Sequence, residues 1–268
     1  MQTMTAPEAL STGQLGLTPD EVRQFHEQGF LRRFTLLEPD EMEPVRRRME
    51  DEVLRRPSSY PGEWTPGMDR FTQSRHLDSR LVWDLCSHHR VVQKMVSLLG
   101  RDLLLWRTNL WHKEPAGDDG LRSKEIPWHQ DWFYWSMEPP VGVTAWVALD
   151  RTTTENSCVR VIPGSHKRVI PHVPVQGKSF QTGADPASFD ASQAVDMELE
   201  PGEFFLFNER LLHGSLHNRS RRPRLGMAIR VTVPFVRITP EEDFIHHPVL
   251  VLHGRDEMGF NDLGTPPE

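Results

Sequence analysis

The sequence predicts a mainly β domain, a sandwich or jelly roll with α-helices packed outside it, on three observations. From Leu103 onward the chain is a succession of short runs rich in Val, Leu, Phe and Trp. Gly, Pro and Asn punctuate those runs as turns do. Helical periodicity, by contrast, is confined to the stretch before Gly100.

In chain order, residues 1–16 read as a flexible tail. Thr18-Pro19-Asp20-Glu21 supplies an N-cap, a first-turn proline and a capping box, so a helix starts there and Gly29 stops it. Phe30–Phe34 reads as a short strand. Met42, Val45, Met49 and Val53 lie at helical spacing in a second helix from about Pro39 to Arg55. A Pro/Gly-rich loop, PSSYPGEWTPG, follows. Two shorter helices fit Asp78–His88, with Asp78 as N-cap, and Arg90–Leu99, ended by Gly100. The strands then run LLLWRTNLW, VTAWVALD, CVRVIPG, DMELEPG, EFFLFN and RLGMAIRVTV, and residues 254–268 read as a polar tail. One domain over 17–253 is expected, with no internal repeat.

Composition excludes several classes of function. A formal charge of -7 is the wrong sign for a general nucleic-acid binder. No apolar run approaches the ~20 residues that cross a bilayer. The N-terminal residues show no secretory leader. Cys86 and Cys158 are too few for a disulfide framework, which points to a reducing cytoplasm.

The chemistry concentrates in PWHQDWFYW, residues 127–135. In an extended strand, residues i and i+2 share a face, so His129 and Asp131 point together and Gln130 points away. One imidazole and one carboxylate make two-thirds of the facial triad that binds non-haem Fe(II) and leaves coordination positions open. With 13 histidines in the chain, about one His-x-Asp tripeptide is expected by chance. A second copy, His76-Leu77-Asp78, is the decoy. Independent support for the first comes from His213, just beyond the strand Phe204–Asn208, and from Arg224, eleven residues later. Two consecutive antiparallel strands would bring both onto one inner wall, where arginine can grip a carboxylate through two parallel hydrogen bonds. The aromatic run after Asp131 would overhang such a pocket, making Trp132, Tyr134 and Trp135 the expected substrate contacts. His166 and Cys158 read as structural.

Taken together, NLWHKEP, PWHQD, VTAWVALD, ENSCVRVIPGSHK and LLHGSLHNRSRRPR resemble the phytanoyl-CoA dioxygenase family of Fe(II)/2-oxoglutarate-dependent oxygenases. The resemblance runs from LTPDEVRQFHEQGFL to RLGMAIRVTVP. It implies a double-stranded β-helix, iron held by His129, Asp131 and His213, and dioxygen as oxidant. It further implies 2-oxoglutarate bound by Arg224 with Ser215, and cosubstrate contacts from Asn109 and Trp146. Asp131 stands where related halogenating enzymes carry a small residue, so hydroxylation, desaturation or oxidative cyclisation is implied instead. Ser157 stands where the family has glycine. The expected substrate is a small organic molecule in natural-product tailoring, such as antibiotic biosynthesis. An acyl thioester or amino-acid derivative is the alternative within the family. From another class, the alternative is a non-catalytic jelly roll that binds a sugar or similar ligand.

Overall fold

The computed structural model describes residues 15–62, 69–239 and 248–268. Most of the expected N-terminal tail and residues 63–67 of the Pro/Gly-rich loop lie outside them.

Helix α1 (Pro19–Gln28) starts as the sequence dictates. Thr18 Oγ1 accepts from the Glu21 amide at 3.2 Å, and Glu21 Oε2 accepts from the Thr18 amide at 2.7 Å. Gly29, at φ 82°, ends it in the left-handed conformation that glycine adopts without steric cost. Strand β1 (Phe30–Thr35) follows. Helix α2 (Pro39–Arg48) is shorter than expected, because Met49–Leu54 forms a π-helical turn. That wider turn still leaves Met49 and Val53 fully buried. Helices α3 (Arg80–Cys86) and α4 (His89–Leu99) complete the outer layer. The N-cap of α3 is Ser79, one residue beyond the expected Asp78. Asp78 instead pairs with Arg75 at 2.9 Å and accepts the Ser59 amide at 2.8 Å.

Ten strands build two facing sheets. They are β1, β2 (Leu103–Lys113), β3 (Ile126–His129), β4 (Val143–Ala148), β5 (Val159–Val161), β6 (Val195–Met197), β7 (Glu203–Asn208), β8 (His213–Ser215), β9 (Arg224–Thr232) and β10 (Leu250–His253). Six form a sheet in the order β1-β7-β4-β9-β2-β10, and four form the order β3-β8-β5-β6. Neighbours within each sheet run antiparallel.

The alternation of β9 sorts two interiors. Leu225, Met227, Ile229 and Val231 join the helix-facing core, whereas Ala228 joins the cluster between the sheets with Trp146, Phe205, Phe207, Val159 and Val161. Burying each large apolar side chain contributes about 1.5–3 kcal/mol, and the second cluster also walls the site with low-dielectric surface. Gly226 is required here: a Cβ on it would lie 2.1 Å from the Trp146 ring.

The C-terminal residues 254–268, expected as a tail, are fastened to the domain. The Val249 amide donates to the Asp262 carbonyl and the Gly264 amide to that of Val249, both at 2.9 Å. Asn261 Nδ2 donates to the Val236 carbonyl at 2.7 Å. Among the described residues, no helix is long and apolar enough to cross a membrane.

Candidate metal and cosubstrate site

Strand β3 ends at His129, and β8 begins at His213 directly across from it in register. The imidazole centroids are 4.1 Å apart. Past His129 the chain stays extended through Gln130 and then turns as a short 3₁₀ segment, Asp131–Tyr134. The expected extension to Trp132 is therefore cut short, but one extended residue is enough to place Asp131 beside His129. Gln130 points the other way, donating to the carbonyls of Arg168 at 2.8 Å and Arg210 at 2.6 Å. Four backbone and side-chain partners hold this amide and so fix the turn.

His129, Asp131 and His213 form a buried set whose ligand atoms lie within 4.8 Å of one another. Each imidazole Nδ1 lies 2.8 Å from a carbonyl two residues upstream, Pro127 for His129 and Leu211 for His213. A carbonyl only accepts, so both Nδ1 atoms carry the proton and both Nε2 lone pairs are left for a ligand. Those Nε2 atoms lie 3.5 Å and 3.9 Å from Asp131 Oδ1. Burial pulls His213 down to about 3, with Asp131 offsetting only part of that, so its imidazole is neutral near pH 7. Burial alone would raise Asp131, but Arg230 and the two histidines hold it well below the usual carboxylate range. Two imidazole Nε2 atoms and one carboxylate with open sides fit a divalent first-row metal.

Arg224 is 1% exposed. Its Nε and Nη2 donate to the Ser157 carbonyl at 3.1 Å and 2.7 Å, and its guanidinium lies 5.1 Å over the Trp146 ring. Burial pulls its proton affinity down to about 10. Ser157 presents that carbonyl from φ 75°, the left-handed conformation that the family's glycine adopts without cost. Among the described residues, no carboxylate lies within ion-pair distance of Arg224, and the buried Ser215 Oγ has no hydrogen-bond partner. Both line a narrow inner pocket with His129, His213, Trp111, Trp146 and Arg230. A buried cation beside an unpartnered hydroxyl fits a ligand carboxylate. His213 and Arg224 were expected on one wall. They lie instead on opposed sheets, because the 216–223 loop crosses from β8 to β9.

Outside this pocket, and sharing Trp111 and Arg230 with it, opens a cavity of about 420 Å³. Asp131 forms part of its floor, so the triad stands at the partition between the two spaces. Tyr134 and Trp135 line the outer cavity, as expected of substrate contacts. Trp132 does not: its indole Nε1 points back to Gln130 Oε1 at 3.3 Å. Asn109 faces the outer cavity, where its Oδ1 accepts from Arg230 Nη1, and does not line the inner pocket. His76 of the decoy is buried against Thr108 Oγ1 at 3.0 Å, and His166 Nε2 lies 3.1 Å from the His26 carbonyl.

Sequence reasoning missed Arg230 and Phe180. Arg230 Nε lies 3.4 Å from Asp131 Oδ2. It sits six residues after Arg224, an even spacing on one strand, so alternation alone could have placed it on the inner face. The Phe180 ring packs edge-on to His129 at 4.9 Å, from a loop segment with no periodic signal.

Residues 25–226 match the family model for phytanoyl-CoA dioxygenase (PhyH). The chain belongs to the phytanoyl-CoA dioxygenase family. A probable phytanoyl-CoA dioxygenase from Caenorhabditis elegans is 29% identical over 179 residues, covering 63% of this chain and 56% of that protein. The chain thus spans little more than half the length of such curated relatives. Among solved structures, the non-heme monooxygenase ThoJ in its apo form superposes with a TM-score of 0.76 at 26% identity, over 93% of this chain and 89% of that one. CytC3 with Fe(II) and alpha-ketoglutarate superposes at 0.74 with 23% identity, over 95% and 96%, and shares the double-stranded β-helix.

Proposed function

We propose that the protein is an Fe(II)- and 2-oxoglutarate-dependent oxygenase acting on a small organic molecule. The observation that carries this reading is that His129 and His213 of the triad, with both Nε2 atoms free for metal, share one pocket with the buried Arg224 and Ser215, and Asp131 stands beside them at its partition with the outer cavity. Bound iron and 2-oxoglutarate would supply the activation of dioxygen and the oxidation of an unactivated C–H bond.

The chain's own groups do the rest. His129, Asp131 and His213 would hold the metal through two Nε2 atoms and one carboxylate oxygen. Arg224 and Ser215 take the distal carboxylate of 2-oxoglutarate and set its orientation, while Trp146 and Phe207 shield the pocket from water. Arg230 holds the second oxygen of Asp131, fixing how that carboxylate faces the metal. The substrate occupies the outer cavity against Tyr134, Trp135 and Phe180, and the volume of about 420 Å³ suits a free small molecule. Natural-product tailoring by hydroxylation, desaturation or cyclisation is the finer reading that this cavity supports. A non-catalytic sugar binder has no use for a buried guanidinium and a triad at the same partition.

Succinate and CO2 formation from 2-oxoglutarate under air, with Fe(II), tests the reading. Asp131→Ala abolishes it on this account, and a fully active Asp131→Ala protein refutes the triad.

A further inference from the structure

Ser157 holds Arg224 and is held in turn. Both donations from Arg224, by Nε and by Nη2, land on the one Ser157 carbonyl oxygen, so that edge of the guanidinium is spent. The Nη1–Nη2 edge is left, with Nη1 in a long contact of 3.5 Å to the Trp111 carbonyl. A guanidinium offers its donors in a fixed planar fork. The direction of the Ser157 carbonyl therefore decides which edge faces the inner pocket.

The Ser157 side chain fixes that carbonyl from the other direction. Its Oγ donates to the carbonyl of Leu216, which also accepts Lys113 Nζ at 3.0 Å. Leu216 directly follows Ser215, the hydroxyl that completes the clamp. The turn around Ser157 does not need this bond. Asn156 Oδ1 accepts from the Thr153 amide at 2.7 Å, and the Cys158 amide donates to the Thr153 carbonyl at 2.9 Å. Nor does the docking of the 216–223 loop need it, since the Arg219 amide donates to the Glu155 carbonyl at 2.9 Å. At φ 75° glycine would close the same turn without steric cost, whereas a serine there is strained. A buried hydroxyl kept at such a position, and spent on the peptide next to Ser215, calls for a role beyond the turn.

We infer that Ser157 is a positioning residue for 2-oxoglutarate. Its carbonyl sets the edge of Arg224 that meets the distal carboxylate, and its hydroxyl holds the peptide after Ser215 in register with that edge. This rests on the reading above that the inner pocket takes 2-oxoglutarate. Arg224 and Ser215 lie on opposed sheets, and Ser157 bonds to both sides through its two oxygens. Neither Ser157 nor Leu216 lines the inner pocket; both border a separate cleft. Ser157 thus acts through Arg224 and Ser215 and touches no ligand itself.

The experiment uses the full chain loaded with Mn(II). Calorimetry follows the binding of 2-oxoglutarate and of oxalate, which chelates a metal but has no distal carboxylate. In Ser157→Gly the dissociation constant for 2-oxoglutarate should rise about 4- to 12-fold, the contribution of one hydrogen bond, while that for oxalate stays within about twofold. Ser157→Ala should show the same split, because the missing hydroxyl is what the two variants share. It should also melt below Ser157→Gly, since it keeps a side chain at φ 75°. If Ser157→Ala melts below the assay temperature, Ser157→Gly decides. A 2-oxoglutarate constant unchanged in Ser157→Gly, a loss in Ser157→Ala alone, or equal losses for 2-oxoglutarate and oxalate each overturn the inference. Failure of the parent to bind 2-oxoglutarate at all would instead overturn the oxygenase reading. Parental 2-oxoglutarate binding that survives both substitutions overturns only the role of Ser157.

Discussion

Replacing Arg224 tests the cosubstrate clamp quantitatively. Its guanidinium is fully buried, spends Nε and Nη2 on the Ser157 carbonyl, and lies over Trp146 with the unpartnered Ser215 hydroxyl in the same pocket. Removing one partner of such a desolvated charge pair costs about 2–5 kcal/mol. That is about 30- to 4,000-fold in the dissociation constant for 2-oxoglutarate, and Arg224→Gln should fall in that range. Arg224→Lys keeps the charge but cannot serve both the Ser157 carbonyl and a carboxylate in a fork, so a loss of roughly tenfold or more is expected. Arg224→Gln also leaves the Ser157 carbonyl poorly satisfied, lowering stability by about 1–3 kcal/mol. The assay is therefore anaerobic titration of 2-oxoglutarate into Fe(II)-loaded protein well below the melting temperature of each variant. Arg221, paired on the surface with Asp118 at 2.7 Å, is the control, and Arg221→Ala should shift the constant by less than about threefold. Parental affinity in both Arg224 variants would refute the clamp, and a large loss in Arg221→Ala would show that the wrong arginine was chosen.

Three further outcomes follow from the same geometry. His76→Ala should lower the melting temperature, because it empties a buried site, yet leave 2-oxoglutarate turnover within a few-fold, whereas His129→Ala eliminates turnover; equal losses in two folded variants would move the metal site. Arg230→Lys, which weakens the hold on Asp131 Oδ2, should reduce metal affinity or turnover by about 10- to 100-fold, as read by Mn(II) titration, and unchanged values would remove Arg230 from the site. Glu209 is 2% exposed, and burial raises its carboxyl to about 7. The folded chain therefore holds a proton that the unfolded chain has released above about 4.3. Stability from this group is fully present below that unfolded value and is lost as pH rises through 7. The loss across the window is about 4 kcal/mol at ~1.4 kcal/mol per unit. Glu209→Gln keeps an acceptor for the Gly142 amide and should flatten the dependence, becoming more stable than the parent at pH 8. Parallel melting curves from pH 4.5 to 8 would count against a buried neutral carboxyl.

What the sequence made legible was local. The α1 capping box and the Gly29 stop were readable because Thr18, Glu21 and Gly29 act within a turn or two of one another. The strands were readable because β9 alternates Leu225, Met227, Ile229 and Val231 against residues of the inner face. The triad was readable because one extended residue, Gln130, separates His129 from Asp131. The partition of strands between sheets was not readable, since nothing in the 216–223 loop says that it crosses the barrel. That hidden crossing put His213 and Arg224 on opposed walls. Trp132 and Tyr134 look alike in sequence, and only the 3₁₀ turn decides that one packs back on Gln130 while the other reaches the cavity. Ser79 caps α3 in place of the expected Asp78, which the Arg75 ion pair takes away from that duty.

The most direct test of the central claim is the visible spectrum of the full chain on anaerobic addition of Fe(II) and then 2-oxoglutarate. A weak charge-transfer band should grow with 2-oxoglutarate, requiring His129, Asp131 and His213 for its formation and Arg224 for its affinity. No band from the parent protein, or a band undiminished in His213→Ala, would contradict the account.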